Sequence, residues 1–179
     1  MSVTDRTGDA RFFERQMATY ATYHTNARNR LTHFVGIPAI VFSIMLVLAP
    51  ARIELAGLAL SWGILVTAVA FVLWVILDRA IGLAMALFLV PGLVIAEAWI
   101  GARPGDAWIA FAVFFVGGWV FQFWGHAIEG RRPALVDNLF QALIGPMFIA
   151  AELLFAAGLK RGLKDRVATL AAAATGPAR

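Results

Sequence analysis

The stretch NLFQALIGPMFIAAELLFAAGL, residues 138–159, decides the architecture. Its length and apolarity suit one crossing of a bilayer, whose hydrocarbon core takes about 20 helical residues. Yet it carries Gln141, the pair Gly145 and Pro146, and Glu152. Four cleaner apolar runs precede it, over residues 34–50, 55–77, 80–100 and 107–125. With 61% of its 179 residues apolar, against roughly 45–50% in soluble domains, the chain reads as an integral membrane protein. Lipid leaves no backbone group unpaired, so each run is expected to be a helix. The short links ARIE, DR and ARPGD make consecutive runs antiparallel neighbours in a bundle.

Charge decides how the fifth run lies. If all five crossed, one side would hold eight basic residues, Arg6, Arg11, Arg15, Arg28, Arg30, Arg79, Arg131 and Arg132, and the other seven, Arg52, Arg103, Lys160, Arg161, Lys164, Arg166 and Arg179. If only four cross, the tail returns to the first side and the split becomes 13 to 2. Lysine and arginine bias loops toward the cytoplasm, so the second arrangement is expected, with both termini cytoplasmic. The expected fold is all-α: a polytopic membrane bundle of four transmembrane helices, an N-terminal cytoplasmic helix, and a C-terminal re-entrant or interfacial helix over 138–159. Its polar residues should find partners within the protein. Residues 1–166 form one membrane-embedded domain in this reading, and the tail 167–179 is expected to fray. No apolar segment beside a small-residue cleavage site marks a secretory signal, so the mature chain is expected to start near Met1. Basic charge follows from topology here and gives no argument for nucleic acid.

The chain has no cysteine, which excludes disulfides, thiolate chemistry, iron–sulfur clusters and cysteine-type zinc sites. It has three histidines, two in YHTNARNRLTHFVGIP (23–38) and one in FWGHAIEGRRPAL (123–135). In the expected topology all three share the cytoplasmic face. His24 and His33 are nine positions apart, which on one unbroken helix turns them about 180° from each other. Joint action needs a break, and Asn26 is a good N-cap. A first helix through Gln16 and Tyr20 would then end near His24, and a second begin at about Ala27. His126 comes from the end of the fourth run, three residues before Glu129.

Three neutral imidazoles suit zinc, copper, nickel or ferrous iron and leave coordination positions open. Tyr20, Tyr23, Asn26, Asn29, Gln122, Glu129, Asp137 and Asn138 are polar groups able to orient them. The plain alternative is that each histidine is an amphipathic interfacial anchor, since no HExxH-type spacing is present. Arg131 and Arg132 are by default positive-inside or headgroup contacts, and alternatively a dock for a substrate carboxylate. Glu97 is expected to snorkel, and Pro91 with Gly92 to mark a kink.

Two blocks carry a resemblance. YHTNARNRLTHFVGIP and GWVFQFWGHAIEGRRPALVDNLFQALIGPMFIAAELLF (118–155) resemble the opening and second motifs of the small membrane family of yeast-type 2-hydroxy-palmitic acid (2-hydroxy fatty acid) dioxygenases of fatty-acid α-oxidation. Together they cover about a third of the chain. The resemblance implies a ferrous-iron-dependent dioxygenase that shortens 2-hydroxy fatty acids by one carbon, with His24, His33 and His126 as catalytic metal ligands. Arg131 and Arg132 would receive the substrate carboxylate, and Tyr23, Asn26, Glu129, Asp137 and Asn138 would support the ligands. Zinc is an expected occupant of recombinant protein, because iron lies below it in intrinsic affinity. The implied partners are a 2-hydroxy fatty acid, O2 and the bilayer, and a homo-oligomer is compatible with such a bundle. The alanine- and arginine-rich composition points to a bacterial inner membrane. One departure stands out: the family pattern pairs two histidines after the tyrosine, and here His24 is followed by Thr25.

Two other functions compete. A haem-binding electron carrier would use two histidines as axial ligands, although these sit at the ends of runs and not in facing mid-membrane pairs. A non-enzymatic lipid-binding protein would need no metal. The absence of a repeat and the scarcity of intramembrane charge argue against a transporter.

Overall fold

The computed structural model describes residues 10–175. Residues 1–9 and 176–179, which include the expected start of the chain and Arg6 and Arg179 of the charge count, lie outside the described residues. The described residues are all-helical apart from one short hairpin. In order come α1 (Phe12–Thr22), α2 (Ala27–Leu48), β1 (Arg52–Leu55), β2 (Leu58–Ser61), α3 (Trp62–Leu77) and α4 (Arg79–Ala102). A 3-10 turn, Pro104–Asp106, leads to α5 (Ala107–Glu129), the single turn α6 (Ala134–Asp137), α7 (Gln141–Ala156) and α8 (Arg161–Thr175).

Among the described residues, three helices are long and apolar enough to cross a membrane: α2, α4, and α5 with its preceding turn. Their patterning is inverted relative to a soluble bundle. On α4, Leu83, Leu87, Val90 and Val94 point outward, a stripe at helical spacing, while Ile81, Gly82, Met85, Leu89, Gly92 and Ala96 are buried. Pro91 lies inside this helix without ending it. Small residues at the interface are what let apolar helices pack closely in lipid.

The crossing of α2 and α5 shows this most sharply. A Cβ on Gly36 would stand 2.7 Å from the Gly118 carbonyl oxygen, and one on Gly118 would stand 2.8 Å from that of Gly36. One heptad further, a Cβ on Gly125 would meet the Thr32 hydroxyl and the Asn29 side chain. Any side chain at these three positions would push the helices apart, and with them His33 and His126.

The run 55–77, expected to be helical throughout, begins as a hairpin. Ala56 and Gly57 both have positive φ, 50° and 80°, the conformation of a two-residue turn that suits paired strands. The antiparallel pairs run from Arg52 with Ser61 to Leu55 with Leu58. Ser61 then caps α3 by accepting from the Ile64 amide, so the helix starts at Trp62 and has 16 residues. At 1.5 Å per residue it is about 24 Å long.

The opening stretch resolves in a similar way. α7 also has 16 residues, and its residues 144–151 are all buried. Its polar groups have protein partners. The Gln141 amide donates to Gln16 at 2.7 Å, and Glu152 lies 3.8 Å from Arg30. Gly145 is where α7 rests on the Tyr20 ring and Ile37. The Trp74 indole donates to the Leu143 carbonyl at 2.9 Å, tying α7 to α3.

The chain stays helical to Thr175, past Val167, where the sequence suggests fraying. An alanine run is the strongest helix former, and Leu163 and Val167 are buried against the core. Glu14 of α1 accepts from both Arg11 and Arg166. Burial alone would raise its pKa, but these guanidinium hydrogen bonds outweigh it and hold the carboxyl below its usual range.

Candidate metal centre

The break required between His24 and His33 is present. α1 ends at Thr22, the His24 amide closes the last turn on the Ala21 carbonyl, and Asn26 caps α2 by accepting from the Arg28 amide at 2.9 Å. Such a cap stabilises a helix start by about 1 kcal/mol. His24 therefore folds back over the first turns of α2, and His33 faces it. His126 approaches from α5. The three rings form a closed triangle, with centroid separations of 4.5 Å, 5.0 Å and 4.9 Å. All three are buried. One ring nitrogen from each lies within 4.8 Å of the others.

Hydrogen bonding selects the free atoms. His24 Nδ1 lies 2.7 Å from the Tyr20 carbonyl oxygen and His33 Nδ1 lies 2.9 Å from that of Asn29. A carbonyl only accepts, so each Nδ1 carries the proton and donates. Each Nε2 is then an unprotonated lone pair, and these two atoms face each other at 3.0 Å. Two lone pairs cannot hydrogen-bond to each other. The arrangement calls for a cation between them, and a proton is a poor choice. Burial, and next the neighbouring His33, push the His24 pKa down to about 3. A metal ion fits: ligands in adjacent positions with bonds of about 2.0–2.1 Å have nitrogens about 2.9–3.4 Å apart. His126 brings a third ring nitrogen within reach of these two, and its Nδ1 is buried and without a partner among the described residues. The same geometry opposes an axial pair on haem, whose nitrogens sit on opposite sides of the iron about 4 Å apart.

Glu129 locks the two halves together. Its carboxylate accepts from the backbone amides of Thr25 and Asn26 at 3.0 and 2.9 Å, from the Thr25 hydroxyl, and from the Asn29 amide at 3.0 Å. One carboxylate at the end of α5 thus fixes the segment joining His24 to His33. It also sits at the N-terminus of α2, where a negative charge is favoured. The Tyr20 ring stacks on His24 with centroids 4.0 Å apart.

The remaining candidates take other places. Tyr23 donates to Asp137 at 2.8 Å, and Asp137 pairs with Arg132 at 2.6 Å. That hydrogen bond to Asp137 raises the Tyr23 pKa. Arg131 donates to the Thr22 carbonyl at 2.9 Å. Asn138 caps its own turn by accepting from the Phe140 amide. These contacts bind the 130–138 loop to the end of α1. Glu97 pairs with Arg52 at 2.8 Å and accepts from Ser61, so it fastens the hairpin where the sequence suggested only a snorkelling side chain.

A cavity of about 320 Å³ opens from the histidines, within the roughly 300–1,000 Å³ range of small-molecule sites. Ile37, Ile40, Val41, Ile44 and Met45 line it along α2. From His33 to Met45 that face runs about 18 Å, the length of roughly fourteen carbons of an extended zigzag chain, in which each bond of about 1.5 Å advances only about 1.25 Å. Ile44 and Val66 line the cavity and are also exposed on the outside of the bundle. Arg131 and Arg132 do not line it, whereas Pro133, Ala134 and Leu135 do. Periodicity alone signalled neither this tunnel nor the reach of Glu129.

Comparison with known proteins gives the family. Residues 10–157 match the family model described as "2-hydroxy-palmitic acid dioxygenase Mpo1-like". The chain is 34% identical over 151 residues to the 2-hydroxy-palmitic acid dioxygenase MPO1 of Saccharomyces cerevisiae, covering 83% of each protein. No solved structure matches it. The matched region spans all three histidines and Glu129, and the chain belongs to the Mpo1-like family of 2-hydroxy-palmitic acid dioxygenases.

Proposed function

We propose that the protein is an Fe(II)-dependent dioxygenase that converts a 2-hydroxy fatty acid and O2 to the acid one carbon shorter, carbon dioxide and water. Four electrons pass from the carbon skeleton to O2 in that balance. The observation that carries the metal reading is the pair of lone-pair nitrogens 3.0 Å apart in a buried three-histidine cluster. Family membership supports the substrate class.

His24, His33 and His126 would hold the iron, which supplies the redox chemistry and a positive centre for the 2-hydroxy-carboxylate. With three neutral ligands its full double charge favours an anionic substrate. The Tyr20 and Asn29 carbonyls fix the tautomers of His24 and His33, and Glu129 fixes the joining segment. The apolar cavity takes the acyl tail and excludes water. Among the described residues, Arg131 donates to a backbone carbonyl and pairs with no carboxylate, and Arg132 is neutralised by Asp137. Of the two, Arg131 is therefore the freer to attract the carboxylate as it approaches.

The 13 to 2 charge division supports a site on the cytoplasmic face of a bacterial inner membrane. In this arrangement α3 completes a set of four crossings, α7 is a protein-packed re-entrant helix, and both termini are cytoplasmic. The burial of α7 supports that assignment.

The test is anaerobic loading of detergent-purified protein with Fe(II), then 2-hydroxypalmitate and air. Oxygen uptake with the shortened acid is expected, and both should vanish in His126→Gln. Iron bound with no product across several chain lengths would remove the reading.

A further inference from the structure

Gln122 stands one turn before His126 on α5, on the same helix face, and lines the same cavity. It is 6% exposed, and its Nε2 is buried without a partner among the described residues. An amide donor left unpaired in this way is costly unless something else accepts its hydrogen bond. Room has been made for it. A Cβ on Gly36 would stand 2.8 Å from this nitrogen, so the bare backbone at that position is what seats the amide. Its neighbours in the cavity on the facing helix, Ile37 and Ile40, have no acceptor to offer. The other orphan on the cavity wall, Gln141 Oε1, is an acceptor. Its own nitrogen is committed to Gln16, so it repels an anion where Gln122 attracts one.

We propose that Gln122 Nε2 donates a hydrogen bond to an oxygen of the 2-hydroxy-carboxylate head group, making it a substrate-contacting residue one turn below the histidines. The proposal rests on the dioxygenase reading above. A single amide donor at the top of an apolar tunnel distinguishes an acid head from a plain acyl chain. It also pins the head, so that C1 and C2 stay beside the metal site while the tail lies along α2.

The experiment is anaerobic binding of 2-hydroxypalmitate and of 1-hexadecanol to the Fe(II)-loaded protein, wild type against Gln122→Leu and Gln122→Glu, with iron content measured on each. In Gln122→Leu, iron stoichiometry and hexadecanol binding are expected unchanged, and 2-hydroxypalmitate affinity should fall about ten- to a hundred-fold, as for loss of a hydrogen bond to a charged group. Gln122→Glu should bind the acid more weakly still, because it sets like charge against like. Unchanged acid binding in either variant would overturn the contact, as would loss of iron from Gln122→Leu, which would make Gln122 a support for His126. Should the leucine variant fail to fold, the glutamate variant decides alone. Failure of the broader reading looks different: the wild type itself would bind the acid no better than the alcohol.

Discussion

Two of the polar clusters set into this apolar bundle, one at each end, are built on opposite plans. At the hairpin end, Glu97 is closed on itself by Ser61 and Arg52, and the Trp99 indole donates to Asp106 at 3.0 Å. No atom of that set appears among the buried groups lacking a partner. At the histidine end, Asn29 Oδ1, Gln122 Nε2, His126 Nδ1 and Gln141 Oε1 are all buried and unpaired among the described residues. A cluster whose hydrogen bonds close needs nothing more and acts as a fastener. One that leaves donors, acceptors and lone pairs facing a cavity is shaped for a guest.

Substitutions at the two ends should separate these plans. The largest effect is expected from His24→Gln, His33→Gln or His126→Gln. Each should abolish turnover and lower metal affinity by more than the 10- to 100-fold typical of an outer-shell partner, while circular dichroism keeps its helical signal. Glu129→Gln comes next. It should lower iron affinity within that 10- to 100-fold range, measured by competition with a chelator. Glu97→Gln should do the reverse of both, costing about 0.5–1.5 kcal/mol of stability through a weakened part-buried network and leaving iron content and turnover per folded molecule unchanged. If Glu97→Gln removed iron, the division between fastener and receptor would fail.

Acidity offers a further comparison. An ordinary histidine near pKa 6.5 loses metal as pH drops below that value, because the proton competes for the ligand nitrogen. His24, held at about 3, should not impose that loss, so its contribution to iron affinity should stay flat between about pH 5 and 8. The smallest effect belongs to Arg166→Ala, expected to cost about 0.2–1 kcal/mol, since the arginine is half exposed. The pKa of Glu14 is depressed in the folded protein. Its contribution is therefore present at neutral pH and lost as pH falls through the folded value below 4.5. Limited proteolysis at α8, in the variant or in acid, reads this release.

Much of the site was legible because its geometry is local. The nine-residue spacing of His24 and His33 demands a break, and Asn26 marks where it falls. The family motifs then single out His126, which the fold brings beside the other two. The hairpin was not legible. Its residues are as apolar as a membrane helix, and the turn that defines it puts an alanine, not only a glycine, at positive φ. Nor was the packing of α8, since Arg166 meets Glu14 across 152 positions and nothing in the tail alone reveals that partner. That the polar residues of α7 would find protein partners was anticipated from its polar content, which needs no contact at all.

The tie between Thr25 and Glu129 spans 104 residues, and that distance has a consequence for biosynthesis. At about 5–20 residues per second, the ribosome releases the early histidine pair roughly 5–20 s before the carboxylate that clamps it. In that interval the nascent chain offers two nitrogens and no third, a weak and unselective half-site. Filling of the three-nitrogen site therefore belongs after α5 has joined the bundle, to the finished fold rather than to the growing chain.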